Sequence, residues 1–144
     1  MKYKVEIEIE RPIEQVIKLF DNTDNLYKWM DGLQNFEHIS GTPGEPGAKS
    51  KLTFRKGTKE FSMTETITVK NLPEEFTGTY EIKGVFNVVV NRFKPLSENK
   101  TLFVSEQKFF FKGFMKLFAF LMKGAFKKQS MKILTSFKKF AENA

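Results

Sequence analysis

The chain ends in KGFMKLFAFLMKGAFKKQSMKILTSFKKFAENA, residues 112–144, a stretch that contains no proline. Its large apolar residues recur mostly at steps of three or four, as the apolar stripe of a helix requires. They are Phe114, Phe118, Leu121, Met122, Phe126, Ile133, Phe137 and Phe140. This pattern predicts one long amphipathic helix. The stripe before Gly124 and the stripe after Phe126 do not share one centre, which favours a bend at Gly124, or two different packing partners, over a straight rod.

The start of the chain has a different period. In residues 2–10 every second residue is apolar and the others are charged, which predicts a strand with one buried and one solvated face. Helical spacing then appears in residues 12–20. It returns from Thr23 or Asp24, either of which can cap a helix, and it ends at Gly32. The sequence therefore predicts one strand followed by two short helices.

Between these elements and the final helix, the chain is divided into strand-like segments by turn residues. The six segments are residues 33–40, 49–56, 58–70, 76–83, 85–93 and 101–111. The Gly- and Pro-rich loop 41–47 separates the first two. Short turns between the strands predict an antiparallel meander. In the last two segments apolar residues occur at both parities, so the pattern leaves open which face is buried.

Composition limits the possible chemistry. A chain of 144 residues is typical of one domain, so we expect a single domain over residues 1–144. The absence of cysteine excludes disulfides, thiolate metal sites and a cysteine nucleophile. With His38 as the only histidine, we expect neither a metal site nor a cofactor. No window resembles a signal peptide or a membrane-spanning helix, which predicts a soluble cytoplasmic protein.

The net charge of +7 comes mainly from lysines that are scattered through nearly every segment. Nucleic-acid sites tend to gather arginines and stacking aromatic residues in one stripe, so the charge favours a solvated surface and we expect no nucleic-acid partner. The 17 phenylalanines are a stronger signal, because phenylalanine adds large apolar area without a polar group. They indicate a thick core or an apolar cavity.

Five short motifs carry a resemblance to a known family. They are Arg11-Pro12-Ile13-Glu14-Gln15-Val16, Leu26-Tyr27-Lys28-Trp29, the loop Gly41–Gly47, Lys100-Thr101-Leu102 and Phe137–Glu142. In their order and spacing, the chain resembles the START-like, Bet v 1-like (SRPBCC) superfamily, the polyketide cyclase/dehydrase and lipid-transport group. The resemblance implies an α+β helix-grip fold. A curved antiparallel sheet of about seven strands wraps around a long C-terminal helix, two short helices follow the first strand, and a hydrophobic cavity lies between sheet and helix.

Glu65 interrupts an apolar face. Strict alternation through residues 61–69 places its carboxylate in line with Phe61, Met63, Ile67 and Val69. A carboxylate that lines a cavity can orient a polar head group or, with a raised pKa, transfer a proton. The alternatives are a bulge that turns Glu65 outward and a salt bridge to a lysine.

Three other residues each have two interpretations. Trp29 has a polar tip that suits the rim of a cavity, but a tryptophan on a helix that packs on a sheet is usually core. Tyr80 lies on one strand face with Gly78, which leaves space for a hydroxyl in the cavity. His38 is either a surface or hydrogen-bonded strand residue, or a general base.

The segment Phe114–Phe126 has three interpretations: helical core, a cavity wall in which Met115 and Met122 adapt to ligands, and a membrane-surface patch. Its lysines, with no acidic residue between Glu106 and Glu142, suit contact with anionic lipid. We expect the residues after Phe126 to form the structural part of the helix and the segment before it to be the functional lid or wall.

The resemblance implies binding, and possible transport, of a small hydrophobic molecule such as a lipid or polyketide. The residues expected to line the cavity are Trp29, His38, Phe54, Met63, Glu65, Tyr80, Phe109, Phe114, Phe118, Met122 and Phe126. One alternative is a cyclase or dehydratase without metal that uses Glu65 or His38 as acid and base. The other is a module that docks on a partner or a membrane through the final helix. The oligomeric state stays open.

Overall fold

A computed structural model describes all 144 residues as one sheet, two short helices near the N-terminus and one long helix at the C-terminus. The strands are β1 (Lys2–Ile9), β2 (Leu33–Ser40), β3 (Lys49–Lys56), β4 (Lys59–Asn71), β5 (Glu75–Ile82), β6 (Val85–Ser97) and β7 (Lys100–Phe111). The helices are α1 (Ile13–Phe20), α2 (Leu26–Trp29), which follows a 3₁₀ turn at Thr23–Asn25, and α3 (Met115–Glu142).

The seven strands form a single antiparallel sheet in the order β1-β7-β6-β5-β4-β3-β2. Strands β2 to β7 are a meander of consecutive neighbours, and β1 closes the other edge by pairing with β7. The predicted helix-grip fold is confirmed. Strand β6 continues past the predicted end at Phe93 to Ser97. Pro95 lies within this extension, next to a shift in the register with β7, and a strand tolerates proline at such an irregularity.

The register settles which side chains of β6 and β7 face the helix. Phe103 is buried against Phe137 of α3, with their ring centroids 5.5 Å apart, so the odd-numbered residues of β7 point inward. Because Phe93 pairs with Phe103 and Asn87 pairs with Phe109, the odd-numbered residues of β6 point inward too. We call this helix-facing side of the sheet the concave face.

The predicted alternation along β4 fails at one residue. The register shifts between Ile67 and Val69, and the bulge leaves Val69 37% exposed while Ile67 is buried. The prediction that Val69 shares the apolar face is therefore wrong. A bulge adds one residue to a strand and reverses the parity beyond it, which hydrophobic alternation alone does not reveal. Glu65 lies before the bulge and stays in line with Met63 and Ile67.

An aromatic cluster closes one end of the space between the sheet and α3. It consists of Phe20, Trp29, Phe93, Phe103 and Phe137. The rings of Phe93 and Phe103 are stacked at 4.5 Å, and the edge of Phe137 meets Trp29 at 5.0 Å. Edge-to-face and offset contacts of this kind add to the energy of apolar burial. The cluster fixes α1 and α2 against the end of α3.

Helix α3 is continuous through Gly124, so the bend considered at that residue does not interrupt the helix. The two halves instead have different surroundings. After Phe126 the buried residues are Ser130, Leu134, Phe137 and Ala141, whereas before it only Ala119 is buried. Two apolar stripes with different centres therefore correspond to two environments along one helix. No helix of the protein combines the length and apolarity needed to cross a membrane.

Polar contacts hold the second half of α3. The Tyr3 hydroxyl lies 2.6 Å from Ser130 Oγ and donates to the carbonyl of Phe126 at 3.1 Å, at the midpoint of the helix. At its end, Arg11 Nη2 donates to the carbonyl of Glu142 at 2.6 Å. A cation at a helix C-terminus also interacts favourably with the helix dipole. The motif around Arg11 thus anchors the end of the chain to the start of α1.

Candidate functional site

Helix α3 does not cover the sheet evenly. It packs mainly against β1, with fewer contacts to β7 and α2. Its backbone therefore leaves most of the concave face of β3 to β6 uncovered. On that face Leu52 and Ile67 are buried, whereas the apolar side chains nearer the start of α3, including two on the adjoining β7, are half-buried: Phe54, Phe61, Met63, Val85, Val89, Phe109 and Phe111. Half-buried apolar side chains on a part of the face that the helix does not cover indicate a space that the protein does not fill.

The ends of the strands show where this space opens. Strands β3, β5 and β7 end, and β4 and β6 begin, at the same end of the sheet, next to the start of α3. The aromatic cluster occupies the opposite end. The half-buried rings of Phe54 and Phe61 stack at 5.5 Å, and Phe126 reaches down from α3 to Phe109 at 5.0 Å. The space is thus closed at one end and lined by phenylalanines at the other.

Two shallow depressions lie beside α3, and neither is lined by Glu65 or Tyr80. One, of about 540 Å³, lies between β1 and α3 and is lined by Lys4, Val5, Glu6, Gly124, Lys127, Lys128 and Met131. The second, of about 470 Å³, is lined by Met1, Phe109, Phe110, Phe111, Lys116, Ala119, Phe120 and Lys123. Both touch α3 before or near its midpoint, where the helix packs less closely on the sheet than it does at its end.

Glu65 and Tyr80 form a polar pair on the concave face. They are cross-strand neighbours on β4 and β5, and the Tyr80 hydroxyl donates to Glu65 Oε2 at 2.7 Å. The ring of Tyr80 lies over Gly78, where an added Cβ would be 3.7 Å from Cε2. Ser50, a small residue, faces Glu65 from β3. Glu65 therefore faces the concave side, and the space above Gly78 is occupied by the Tyr80 ring itself.

Burial sets the ionisation of this pair. It raises the pKa of Glu65 above its ordinary value of 4.5, and the hydrogen bond from Tyr80 offsets that rise only in part. Burial, and then the nearby negative charge of Glu65, raise the pKa of Tyr80 well above 10.0. No lysine or arginine lies within ion-pair distance of Glu65, so the salt-bridge alternative does not apply. Glu65 can therefore exchange a proton at a higher pH than an exposed glutamate.

A second polar group extends the pair across the sheet. Asn87 is the cross-strand neighbour of Tyr80, and its Nδ2 donates to Gln107 Oε1 at 3.1 Å. Gln107 in turn donates to Ser105 Oγ at 2.9 Å. The Asn87 Oδ1 atom is buried and has no hydrogen-bond partner in the protein. An unpaired buried acceptor is unfavourable unless a donor reaches it, so Asn87 Oδ1 is the acceptor near Tyr80 that the protein leaves unsatisfied.

The sequence pattern did not identify Asn87, Gln107 or Ser105 as site residues. Apolar residues at both parities of β6 and β7 hid the inward face. One signal was present: Val85, Asn87, Val89 and Asn91 alternate, with amides inside an otherwise apolar strand. Once the register is known, that alternation places both amides on the concave face.

The remaining predicted residues divide into three groups. Phe54, Met63, Phe109 and Phe126 lie on or over the concave face, as described above, although Phe126 belongs to the helix. Trp29 is 5% exposed within the aromatic cluster, away from Glu65, as the core interpretation expects. His38 is exposed on the edge strand β2, where Nε2 lies 2.8 Å from the carbonyl of Gly41.

The predicted residues of the early part of α3 do not form a closed wall. Phe114 is 96% exposed and lies outside the interior space, because it precedes the first turn of the helix. Phe118 and Met122 are 46% and 38% exposed. Of the two acid–base candidates, only Glu65 is sheltered from solvent, because His38 is exposed. The structure contains no group of three or more histidine, aspartate or glutamate side chains that could hold a metal ion.

Comparison with known proteins finds similar folds among solved structures. No protein-family model and no curated protein matches the chain. Among solved structures, Ara h 8.0201 is similar with a TM-score of 0.79 and 14% identity, over 100% of this chain and 99% of that one. The Zhui aromatase/cyclase from Streptomyces sp. R1128 has a TM-score of 0.82 and 10% identity, over 99% of this chain and 93% of that one.

A third similar structure is norcoclaurine synthase from Thalictrum flavum in complex with dopamine and hydroxybenzaldehyde. It has a TM-score of 0.74 and 13% identity, over 97% of this chain and 85% of that one. The protein therefore shares the helix-grip fold with these three structures. Sequence identities this low establish a shared fold and nothing more. Two of these three similar proteins are enzymes.

Proposed function

We propose that the protein binds a small hydrophobic molecule, such as a lipid or polyketide, in the space between α3 and the concave face, and that it can carry this molecule. The observation that carries the proposal is the Glu65–Tyr80 pair, which lies among half-buried apolar side chains that α3 leaves uncovered. A site of this kind combines apolar walls with a few convergent polar groups, as ligand sites usually do.

Binding would be driven mainly by burial of apolar surface. Each square ångström of apolar area removed from water contributes about 25 cal/mol, and Phe54, Phe61, Met63 and Phe109 supply such area. The polar groups select orientation. Glu65 in its protonated form donates a hydrogen bond, while the free Asn87 Oδ1 accepts one. The preferred ligand therefore has a long or multi-ring apolar body and one hydroxyl or carbonyl group near its middle or end.

The second candidate is an acid–base enzyme of the cyclase or dehydratase type. The raised pKa of Glu65 favours it, because general acids and bases work best when their pKa lies near the working pH. Glu65 would protonate or deprotonate the substrate, and Tyr80 would hold the carboxylate in position. The aromatase/cyclase and the synthase among the similar structures make this candidate reasonable by analogy of fold only.

A pair of matched substitutions tests the proposed site. Val89→Phe adds a ring to the concave face beside Gly78, whereas Val88→Phe adds the same ring to the opposite face of β6. We expect binding of a dansyl-labelled fatty acid, followed by its fluorescence, to be lost in Val89→Phe and kept in Val88→Phe. Equal binding by both variants would overturn the proposed location.

Mass spectrometry separates carriage from catalysis. The natively purified protein is extracted with organic solvent to identify any copurified compound, which is then incubated with the protein. Binding leaves the mass of that compound unchanged, whereas cyclisation with loss of water lowers it by the mass of one water. Glu65→Gln should abolish any such turnover, and Glu81→Gln, which changes an exposed carboxylate next to Tyr80, is the control.

A further inference from the structure

The first half of α3 exposes large apolar side chains that the ligand site does not use. Phe114 is 96% exposed, Phe120 82%, Leu121 71% and Leu117 67%. Single exposed apolar residues are common on soluble proteins, but a contiguous group of this size marks an interaction surface. Phe114, Leu117 and Leu121 are spaced at i, i+3 and i+7, so they share one side of the helix.

The neighbouring elements continue this surface. The backbone N–H of Lys112 donates to the carbonyl of Gly84 at 3.0 Å, which ties the β5–β6 hairpin to the start of α3. Ile82 in that hairpin and Phe110 at the end of β7 are 37% and 48% exposed. We call residues 82–84 and 110–123 together the docking surface. It lies at the end of the sheet where the interior space opens.

The charge that α3 contributes to the docking surface has one sign. Six lysines lie on it or just beyond it: Lys83, Lys112, Lys116, Lys123, Lys127 and Lys128. No acidic residue occurs between Glu106 and Glu142, and none of these six lysines forms an ion pair. Apolar side chains flanked by unpaired lysines complement an anionic lipid surface, which accepts the rings below the head groups and the ammonium groups among them.

The second half of the same helix lacks this combination. Lys132 and Lys139 occupy the helix side that Phe114 and Leu121 occupy earlier, because 18 residues correspond to five full turns. The side of α3 that faces away from the sheet is therefore apolar at its start and basic at its end. A helix that enters a membrane surface with its first turns only would have this pattern.

We propose that the docking surface binds anionic membranes, with the rings of Phe114 and Phe120 inserted at the head-group boundary and the lysines paired with lipid phosphates. The surface does not include Glu65 or Tyr80. The docking proposal therefore stands or fails independently of the proposed ligand site. If both hold, the interior space opens toward the membrane from which a lipid would enter.

Vesicle flotation with the full chain tests the proposal. One set of vesicles contains equal parts of phosphatidylcholine and phosphatidylglycerol, and the other contains phosphatidylcholine alone. We expect the protein to float with the anionic vesicles at low salt, to be released by moderate salt, and to stay unbound with the neutral ones. Absence of flotation with anionic vesicles at low salt would overturn the proposal.

Two double variants test the two components separately. Phe114→Ser with Phe120→Ser removes the exposed rings and should weaken the partition coefficient about tenfold or more. Lys116→Gln with Lys123→Gln should weaken it about fivefold for each lysine, or about 25-fold together. Lys18→Gln with Lys94→Gln removes the same charge from exposed residues elsewhere and should leave binding nearly unchanged. Unchanged thermal unfolding confirms that each variant is folded.

A comparison of vesicle binding among these variants decides whether the proposed surface is correct. Equal weakening by the Lys18 and Lys94 control would mean attraction by net charge alone and would overturn the proposed surface. Concentration-dependent dimers in sedimentation velocity that the Phe114 and Phe120 variant abolishes, without vesicle binding, would assign the surface to a second copy of the chain and would also overturn the proposal.

Discussion

The two halves of α3 are parts of one continuous helix, yet they have different surroundings. The half after Phe126 is buried against β1 and the aromatic cluster, and both of its ends are held by polar contacts from Tyr3 and Arg11. The half before Phe126 is mostly exposed and leaves the concave face open. Stability and binding are thus assigned to different turns of the same helix. Looser packing next to a proposed binding site is expected, because segments that take part in binding usually have low local stability.

Removing one ring from each half should give the largest difference in stability between them. Phe137→Ala empties a fully buried position in the aromatic cluster, so we expect a loss of about 3–5 kcal/mol in the free energy of unfolding. Phe120→Ala removes a ring that is 82% exposed, and a surface substitution of this kind changes stability by about 0.5 kcal/mol or less. Urea denaturation measures both. Similar losses in the two variants would contradict the division.

Loss of the Arg11 contacts at the end of α3 should have the next largest effect on stability. Arg11→Ala removes the donors to the carbonyls of Ala141 and Glu142 and should lower the free energy of unfolding by about 1.5–3 kcal/mol. Arg55→Ala is the control, because Arg55 forms only an exposed pair with Glu60, which contributes at most about 1 kcal/mol. An equal effect of the two substitutions in urea denaturation would contradict a stabilising role of Arg11 at the end of α3.

Tyr3 marks the boundary between the halves. Tyr3→Phe keeps the ring but loses the hydroxyl contacts with Ser130 and Phe126, so we expect a loss of about 1 kcal/mol. Hydrogen exchange of the amides around Phe126 should become faster, while that of the amides around Phe137 should change little. If exchange rises along the whole helix instead, α3 opens as one unit and the boundary is not real.

The smallest effect concerns Glu65 and depends on pH. Because the folded-state pKa lies above 4.5, the contribution of this carboxyl group to folding is fully present below pH 4.5 and is lost as the pH rises through the raised pKa. Glu65→Gln imitates the protonated form. Its stability relative to the unsubstituted protein should therefore increase with pH, from little difference below pH 4.5.

Urea denaturation of Glu65→Gln and the unsubstituted protein across that pH range tests the sign. Glu81→Gln is the matched control, because Glu81 is exposed on the neighbouring position of β5. A stability difference that does not vary with pH, or that varies equally for both substitutions, would contradict burial as the cause of the raised pKa.

Much of the fold could be predicted because its signals are local. Alternation defined β1, and spacing of three to four defined α3. The Gly and Pro residues of the loop 41–47 separated β2 from β3. The same reasoning placed Glu65 and Tyr80 inward, and the structure makes them hydrogen-bonded neighbours. Two independent predictions that meet across a strand pair are stronger evidence than either alone.

The rest of the site could not be predicted because it depends on register and burial, which are not local. Valines and phenylalanines favour strands on either face, so the pattern of β6 and β7 gave no parity and hid Asn87 and Gln107. Helical periodicity shows which residues share one side of a helix, but it does not show which side meets the sheet. For this reason it does not reveal that Phe114 points away from the cavity. His38 was considered as an acid or base, but it lies on an edge strand that faces solvent.

The most direct test of the central claim is a backbone-amide NMR titration with a dansyl-labelled fatty acid. We expect the largest chemical-shift changes on the concave face and the adjoining helix, at Met63, Glu65, Tyr80, Asn87 and Phe126. Residues 130–142 should change little. Changes confined to the docking surface, or centred on the aromatic cluster, would contradict the claim that the uncovered concave face is the binding site.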